Sequence, residues 1–449
     1  MAQYPNRVVY DLDGEWKYLK DTDDVDVGRV VSASFDRSNW KPIQVPSNWY
    51  LTEIGDYDGA VWFCRTFDVD KKKGTLYTLE FLAVDYIAEV WLNGVYVGSH
   101  EGYFNPFSFR VEHLLQSTQN VLVVKVISPR DPTEYVLVED PNNLSTPMST
   151  PYKRHWAKDL SIVKGHLIDA MHRPGSMTKF RQDGNTGGIW QSVRLVAHDV
   201  VTIDYTKIYT KIVKRDFIPD GTALVSVDIE LTNHTSSVMK VQVGFTIDPV
   251  NFTCDCQLER NRKLELQPGR QTFKLVQTVP DAQLWWTWDH GKPNLYQATF
   301  SVSDVSGEVM DCSSEPFGIK EVVHEEATGQ WYLNGKKIFL RGMRYYSSMF
   351  MSEIKKNRVE KDLKDMLDME INSIRIGSHV ELDVFYSLCD EMGFLVWQNF
   401  PLHYCYSDSD DLIERASVMM RDMVRMLHNH ACLGMWSVFK EPQIYALPN

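Results

Sequence analysis

The stretch "INSIRIGSHVELDVFYSLCDEMGFLVWQNF", residues 371–400, decides the fold class. Two short apolar runs, "INSIRIG" and "FLVWQNF", flank "ELDVFYSLCDEMG", whose apolar residues return at helical spacing. Strand, helix and strand in that order make a βα unit, and apolar runs alternating with 3.6-period helices build a parallel sheet covered by helices. Working outward, "KKIFLRGM" reads as a buried strand and "RVEKDLKDMLDME" as an amphipathic helix. Beyond residue 400, "DLIERASVMMRDMVRMLHNH" reads as a helix and "CLGMWSVF" as a strand. Four strands and three helices are half the content of a (β/α)8 TIM barrel, which typically takes about 250 residues. The expectation is the first half of such a barrel over residues 323–449.

Upstream the pattern changes. From residue 8 to about 200, short alternating runs such as "YTLEFLAVDYIAEVWLNGVYVGSH" and "NVLVVKVIS" are separated by turn residues, with no amphipathic helix between them. Asn93-Gly94 lies between "AEVW" and "VYVG", the pairing a type I′ hairpin turn favours because both positions tolerate positive φ. Residues 1–200 therefore predict a β-sandwich of jelly-roll type. Within it, 130–188 carries few strand signals, and loops of that length are usually functional or disordered. Further runs, among them "TALVSVDIELTN" and "LYQATFSVSD", predict an immunoglobulin-like β-sandwich over 201–322, read as a spacer.

Composition narrows the function classes. A chain of 449 residues exceeds one core, and 60 acidic against 47 basic residues give a formal charge of -13. No Lys/Arg block is dense enough to track phosphates, which argues against nucleic acid or an anionic membrane as partner. The seven cysteines are scattered and odd in number, so they form no disulfide framework, and Cys254-Asp-Cys256 lacks the second pair of a zinc finger. The N-terminus has no basic segment followed by an apolar core, and no run approaches the roughly 18 apolar residues of a membrane helix. The expectation is a soluble, cytoplasmic protein.

In a βα barrel the reacting groups project from the C-terminal ends of the strands. That places Arg375 with Gly377 to His379, Gln398 with Asn399, and Lys440 with Glu441 on one rim. A carboxylate there, beside a cation and several aromatics, suits proton transfer to a leaving oxygen. Each residue also has a plainer reading. Arg375 closes a salt bridge inside the barrel, Trp397 and Trp436 pack its layers, His379 caps the following helix, and Glu441 ends a strand running into solvent.

Several motifs in fixed order resemble glycoside hydrolase family 2, the group that includes β-mannosidases, exo-β-glucosaminidases, β-glucuronidases and β-galactosidases. "VPSNWY", "YDGAVWFCRTF" and "VWLNGVYVGSHEGYFNPFSF" look like its sugar-binding-type jelly roll, and "GGIWQSVRL" like the segment closing that domain. "LWWTWDHGKPNLY" with "FGIKEV" looks like the end of its sandwich, "WYLNGKKIFLRGMRYY" like entry into its barrel, and "NHACLGMWSVFKE" like its fourth barrel strand. The resemblance implies retaining exo-hydrolysis of a terminal β-linked sugar by two carboxylates about 5 to 5.5 Å apart. It makes Glu441 the general acid/base and Arg375 the residue that orients the nucleophile. His379, Trp397, Asn399, Trp436 and Lys440 are substrate-binding candidates. Asp183 in "FRQDGNTGGIW" partly matches a sugar-contacting Asp of mannosidases, its alternative being a turn residue before Gly184. No cofactor or metal is implied.

Two departures bear on activity. The family places Asn where this chain has Lys440, and a lysine donates hydrogen bonds but accepts none. The family's nucleophile ends strand seven, so no residue here takes that role, and the 449 residues alone are expected to be an inactive fragment. A homo-oligomer or a complementing C-terminal half would then be the protein partner. The sugar reads as mannosidase-like. The alternative reading is a non-catalytic carbohydrate-binding or scaffold protein derived from this family.

Overall fold

A computed structural model describes residues 4–21, 25–57, 59–128, 162–165, 185–215, 218–254, 258–402 and 409–439. Alternation builds the first sandwich: in Leu76–Phe81 every second residue, Tyr77, Leu79 and Phe81, is buried. A four-stranded and a six-stranded antiparallel sheet close over these side chains, with Trp16, Trp49 and Phe63 in the same core. Asn93 and Gly94 take φ of 52° and 83° and join Ile87–Leu92 to Val95–Glu101 as the type I′ reading requires. Residues Val201–Phe317 form the second sandwich, a three-stranded sheet facing a four-stranded one.

"KKIFLRGM" is two elements rather than one strand. Asn334 and Gly335, at φ 51° and 80°, turn Gln330–Leu333 back into Lys336–Ile338, so "KKI" belongs to a three-stranded antiparallel sheet. Phe339 follows at 76% exposure, and the barrel begins only at β1, Gly342–Tyr345. From there the chain runs α1 (Lys356–Asp368), β2 (Ser373–Ile376), α2 (Asp383–Met392), β3 (Leu395–Asn399), α3 (Asp410–Leu427) and β4 (Leu433–Ser437). The four strands pair in parallel in that order.

The helices cover one face of the sheet. Val359, Leu363 and Met366 of α1, at spacings of four and three, are buried against it, while Lys361–Asp365 and Lys364–Glu360 ion pairs lie on the solvent side. Gly393 ends α2 at φ 77°, where a Cβ would also meet the Trp288 nitrogen at 2.8 Å; only glycine meets both demands. Ser409 caps α3 by accepting from the Leu412 nitrogen. No helix among the described residues is long and apolar enough to cross a membrane.

The two sandwiches are fastened to the barrel by hydrogen bonds, an ion pair and an aromatic stack. Trp285 Nε1 donates to the Asp390 carbonyl of α2, and Trp288 Nε1 to the Ile371 carbonyl before β2. Arg425 of α3 reaches both carboxylate oxygens of Glu230, at 2.7 and 2.9 Å, so the second sandwich grips the barrel rather than merely spacing it. From the jelly roll, Tyr103 Oη accepts from the Val380 nitrogen, and Tyr50 stacks on Phe350 at 4.7 Å.

His430, between α3 and β4, ties that turn back to α2: its Nδ1 lies 2.6 Å from Asp390 and its Nε2 3.3 Å from Asp383. Burial opposes charging the ring, but Asp390 together with the hydrogen bonds to both carboxylates outweighs it and carries His430 up to about 9. A folded value raised above the unfolded one stabilises fully below about pH 6.5 and loses that contribution as pH rises through about 9. Urea midpoints are therefore expected to fall between pH 6.5 and 9.5, and His430→Gln to flatten that slope; an unchanged slope would remove His430 from the linkage.

Candidate active site at the barrel rim

Period-two alternation sorts the barrel strands into two faces. Ile374, Ile376 and Val396 turn toward the helices and are fully buried. The opposite face carries one row of register partners, Arg344 of β1, Arg375 of β2 and Trp397 of β3. The Arg375 guanidinium carbon lies 4.2 Å from the centroid of a Trp397 ring, and Trp397 Nε1 donates to Ser437 Oγ of β4 at 2.8 Å. Three strands thus hold one another's side chains at the level where the sheet ends.

Above this row sits Asn399. It is fully buried, and among the described residues neither its amide nitrogen nor its oxygen has a hydrogen-bond partner; the same is true of Arg375 Nε. Buried polar groups are nearly always paired, by protein, water or ligand. A neighbouring pair of unanswered groups beside an indole is a sugar-like specification: hydroxyls to bond and an apolar ring to cover.

His379 lies in the supporting structure rather than in this row. At 1% exposure, it places Nε2 2.5 Å from Glu381 Oε1 and stacks on Tyr346 at 5.0 Å. Glu381 in turn accepts from the nitrogen and hydroxyl of Ser347, at 3.1 and 2.8 Å, so strand ends β1 and β2 are locked together. Gln398, directed toward the helices, accepts from Tyr386 Oη and donates to the His379 carbonyl. Ser378, buried at φ 61°, holds the left-handed conformation that sets the turn between Arg375 and His379.

The structure does not bring Trp436 to the row. Its register partner is Gln398, on the other face, and it is 38% exposed in a groove of about 270 Å³ with Tyr209, Lys320 and His428. The ladder between β3 and β4 shifts register between Val396 and Trp397, so Met435 and Ser437 stand beside Trp397 and Asn399. Asp183, Lys440 and Glu441 lie outside the described residues. Among those described, no group of three or more His, Cys, Asp or Glu side chains is arranged to hold a metal.

Four rim residues went unread in the sequence: Arg344, Tyr346, Glu381 and Lys164. The first three carry a weak signal, being polar at the ends of barrel strands one and two. Lys164 carries none, because it comes from the long interval of the jelly roll. Residues 162–165 lie against the turn that follows β2, and Lys164 Nζ meets Asp85 at 2.7 Å with side chains only 2% and 1% exposed. Gly165 follows at φ 55°, so close that a Cβ would overlap the Ser378 carbonyl.

A jelly roll, an immunoglobulin-like sandwich and parallel βα units with an aromatic and polar rim define a multidomain protein of three-part architecture. The comparisons place it more narrowly. Models described as glycosyl hydrolases family 2 match in order: the sugar binding domain over residues 9–148, the central domain over 201–320 and the TIM barrel domain over 325–447. The chain belongs to glycoside hydrolase family 2. It is 24% identical over 444 residues to the β-galactosidase of Thermoanaerobacter pseudethanolicus, covering 96% of this chain and 51% of that protein. It is also 24% identical over 380 residues to the β-mannosidase of Capra hircus, covering 80% and 40%. Its fold matches Bacteroides uniformis β-glucuronidase 2, solved covalently bound to cyclophellitol-6-carboxylate aziridine, with a TM-score of 0.73 and 21% identity over 97% of this chain and 47% of that one. The chain spans about half the length, or less, of these three relatives.

Two substitutions test the packing below the rim. A Cβ at Gly377 would overlap the Tyr346 hydroxyl and meet its ring at 2.9 Å, so Gly377→Ala should cost about 1–3 kcal/mol in urea unfolding. Adding Tyr346→Ala should return part of that loss; a strictly additive double variant would contradict the contact. Lys164→Met strands Asp85 as a buried charge and should cost about 3–5 kcal/mol, whereas Lys164→Met with Asp85→Asn should cost less.

Proposed function

We propose that this chain carries the acid/base side of a retaining β-glycosidase site, with Glu441 as general acid/base and a terminal β-mannoside-type sugar as substrate. The observation that carries the reading is the unanswered pair Arg375 Nε and Asn399 beside Trp397 on the barrel rim. Glu441 follows β4, whose last residue Ser437 is bonded to that same tryptophan. In the proposed reaction Glu441 protonates the glycosidic oxygen as the bond to the anomeric carbon breaks. A second carboxylate, about 5 to 5.5 Å away, attacks that carbon, and Glu441 then takes a proton from the water that frees the sugar. No residue of this chain is assigned as that nucleophile. In this proposal Arg375 orients it, and Asn399 and Trp397 hold the sugar. The sugar-binding-type jelly roll packs against the turn after β2 through Gly165, in the segment anchored by the Lys164–Asp85 pair.

Lys440 favours a second reading, a carbohydrate-binding or scaffold role without turnover. An ammonium next to Glu441 stabilises the ionised carboxylate, the opposite of what a general acid needs.

The test uses the full product of the gene and p-nitrophenyl β-mannoside, β-glucosaminide, β-glucuronide and β-galactoside. The proposal predicts turnover of at least one, the mannoside foremost, and a drop of roughly 10² to 10⁴ in Glu441→Gln. Parent and variant equally active would take Glu441 out of the mechanism; sugar binding without turnover in either would leave the binding role.

A further inference from the structure

The jelly roll passes into the second sandwich through Asp199 and Val200 alone: His198 ends the strand Val193–His198, and Val201 opens the strand Val201–Arg215. His234, which follows the strand Ile218–Asn233, clamps this crossing by donating its backbone nitrogen to the Val200 carbonyl at 2.8 Å. The two imidazole rings meet at the junction with 5.5 Å between their centroids, and His198 is buried. Their hydrogen bonds suit neutral rings. The Asp199 carbonyl, which can only accept, lies 2.9 Å from His198 Nδ1, so that nitrogen carries the hydrogen and Nε2 accepts from Thr78 Oγ1 at 2.8 Å. Thr202 Oγ1 gives its hydrogen to Asp204, so His234 Nε2, 3.0 Å away, donates to Thr202.

A proton added to either ring meets carboxylates that are already engaged. Asp311, Glu80, Asp204 and Glu112 act on the pair, and each has an arginine of its own: Arg7 at 2.7 Å, Arg194 at 2.8 Å, Arg270 at 3.2 Å and Arg110 at 3.1 Å. Asp199 turns its carboxylate to the Val200 nitrogen. Arg7 also ties the approach to the first jelly-roll strand to the second sandwich, donating to the Ile203 carbonyl as well as to Asp311, so both chain crossings between the sandwiches converge here. We propose that His198 and His234 form an acid-sensitive latch between the jelly roll and the second sandwich, shut while both rings are neutral and loosened when the pair takes up protons. The inference stands apart from the sugar chemistry of the rim. Burial foremost, and Arg7 after it, hold His198 below the usual imidazole range against the pull of the Asp199 carbonyl; burial foremost, and then His198, do the same to His234. Folded values depressed in this way contribute stability above about pH 6.5, the unfolded value, and lose it as pH falls through them. Two imidazoliums this close repel, so the second proton strains what the first has weakened.

The experiment is hydrogen–deuterium exchange of the full chain at pH 7.5 and 5.0, read by mass spectrometry and corrected for the pH dependence of exchange itself. His100 and His428, both carried down to about 4, and His430, carried up to about 9, largely keep their charge states across this window. Peptides spanning 196–206 and 232–236 are expected to lose protection about three- to tenfold at pH 5.0, while the sandwich centres, such as 224–230 and 298–302, hold theirs. His198→Gln and His234→Gln keep a hydrogen-bonding side chain that does not titrate, and each should reduce the acid-induced loss; the double variant should abolish it. The parent supplies a test of its own should the double variant fail to fold. Equal junction protection at both pH values, a loss spread evenly over both sandwiches, or a junction loss that persists undiminished in the single variants would overturn the latch.

Discussion

The parallel register of β1 to β3 is the constraint on which the rim depends. Because successive side chains alternate faces, placing Ile374 and Ile376 under the helices forces Arg375 to the opposite side. The same rule brings Arg344 and Trp397 beside it. A slip of one residue in β2 would bury the Arg375 guanidinium among the helices and expose Ile374 and Ile376. The hydrophobic core and the polar row are therefore one specification, enforced by burial of the apolar face.

Register alone does not hold the rim level. The strand ends are tied by Glu381 to Ser347, and by Trp397 to Ser437. The platform is then braced from two sides. From the jelly roll, the buried Lys164–Asp85 pair fixes the segment that lies against Ser378. From the second sandwich, Trp285 and Trp288 bond to backbone carbonyls of α2 and of the approach to β2. Asp289 adds Arg341 and Asn372, and its carboxyl is carried down to about 2 by hydrogen bonds from His290, Asn372 and Thr287 that outweigh its burial. Domains that look like separate modules in the sequence meet as one structural frame around the site.

The sequence made the architecture legible where local periodicity and burial agree. α1, α2 and α3 each repeat apolar residues at three- and four-residue spacings, and the jelly-roll strands alternate cleanly. It misled at "KKIFLRGM", where an apolar stretch hid a break between Ile338 and Gly342; Asn334-Gly335 just upstream, of the same kind as Asn93-Gly94, was the available signal that "KKI" closes a hairpin. Arg375, Trp397 and Asn399 were legible as rim residues because strand ends in a barrel point to one place. Trp436 was grouped with them by strand end alone, which says nothing about which face a residue takes. Arg344 and Glu381 needed partners to be meaningful, and Arg375 or Ser347, on or just past the neighbouring strand and 31 or 34 residues away, leaves no local trace. Lys164 was invisible for the same reason.

The central claim is that the face bearing Arg375, Trp397 and Asn399 is where a sugar sits. A crystal structure of the protein soaked with a β-mannoside would test it most directly. The account predicts density over Trp397, with hydroxyl oxygens within hydrogen-bond distance of the Asn399 amide and Arg375 Nε. A sugar bound only on the jelly roll, with Asn399 and Arg375 still without partners, would contradict it.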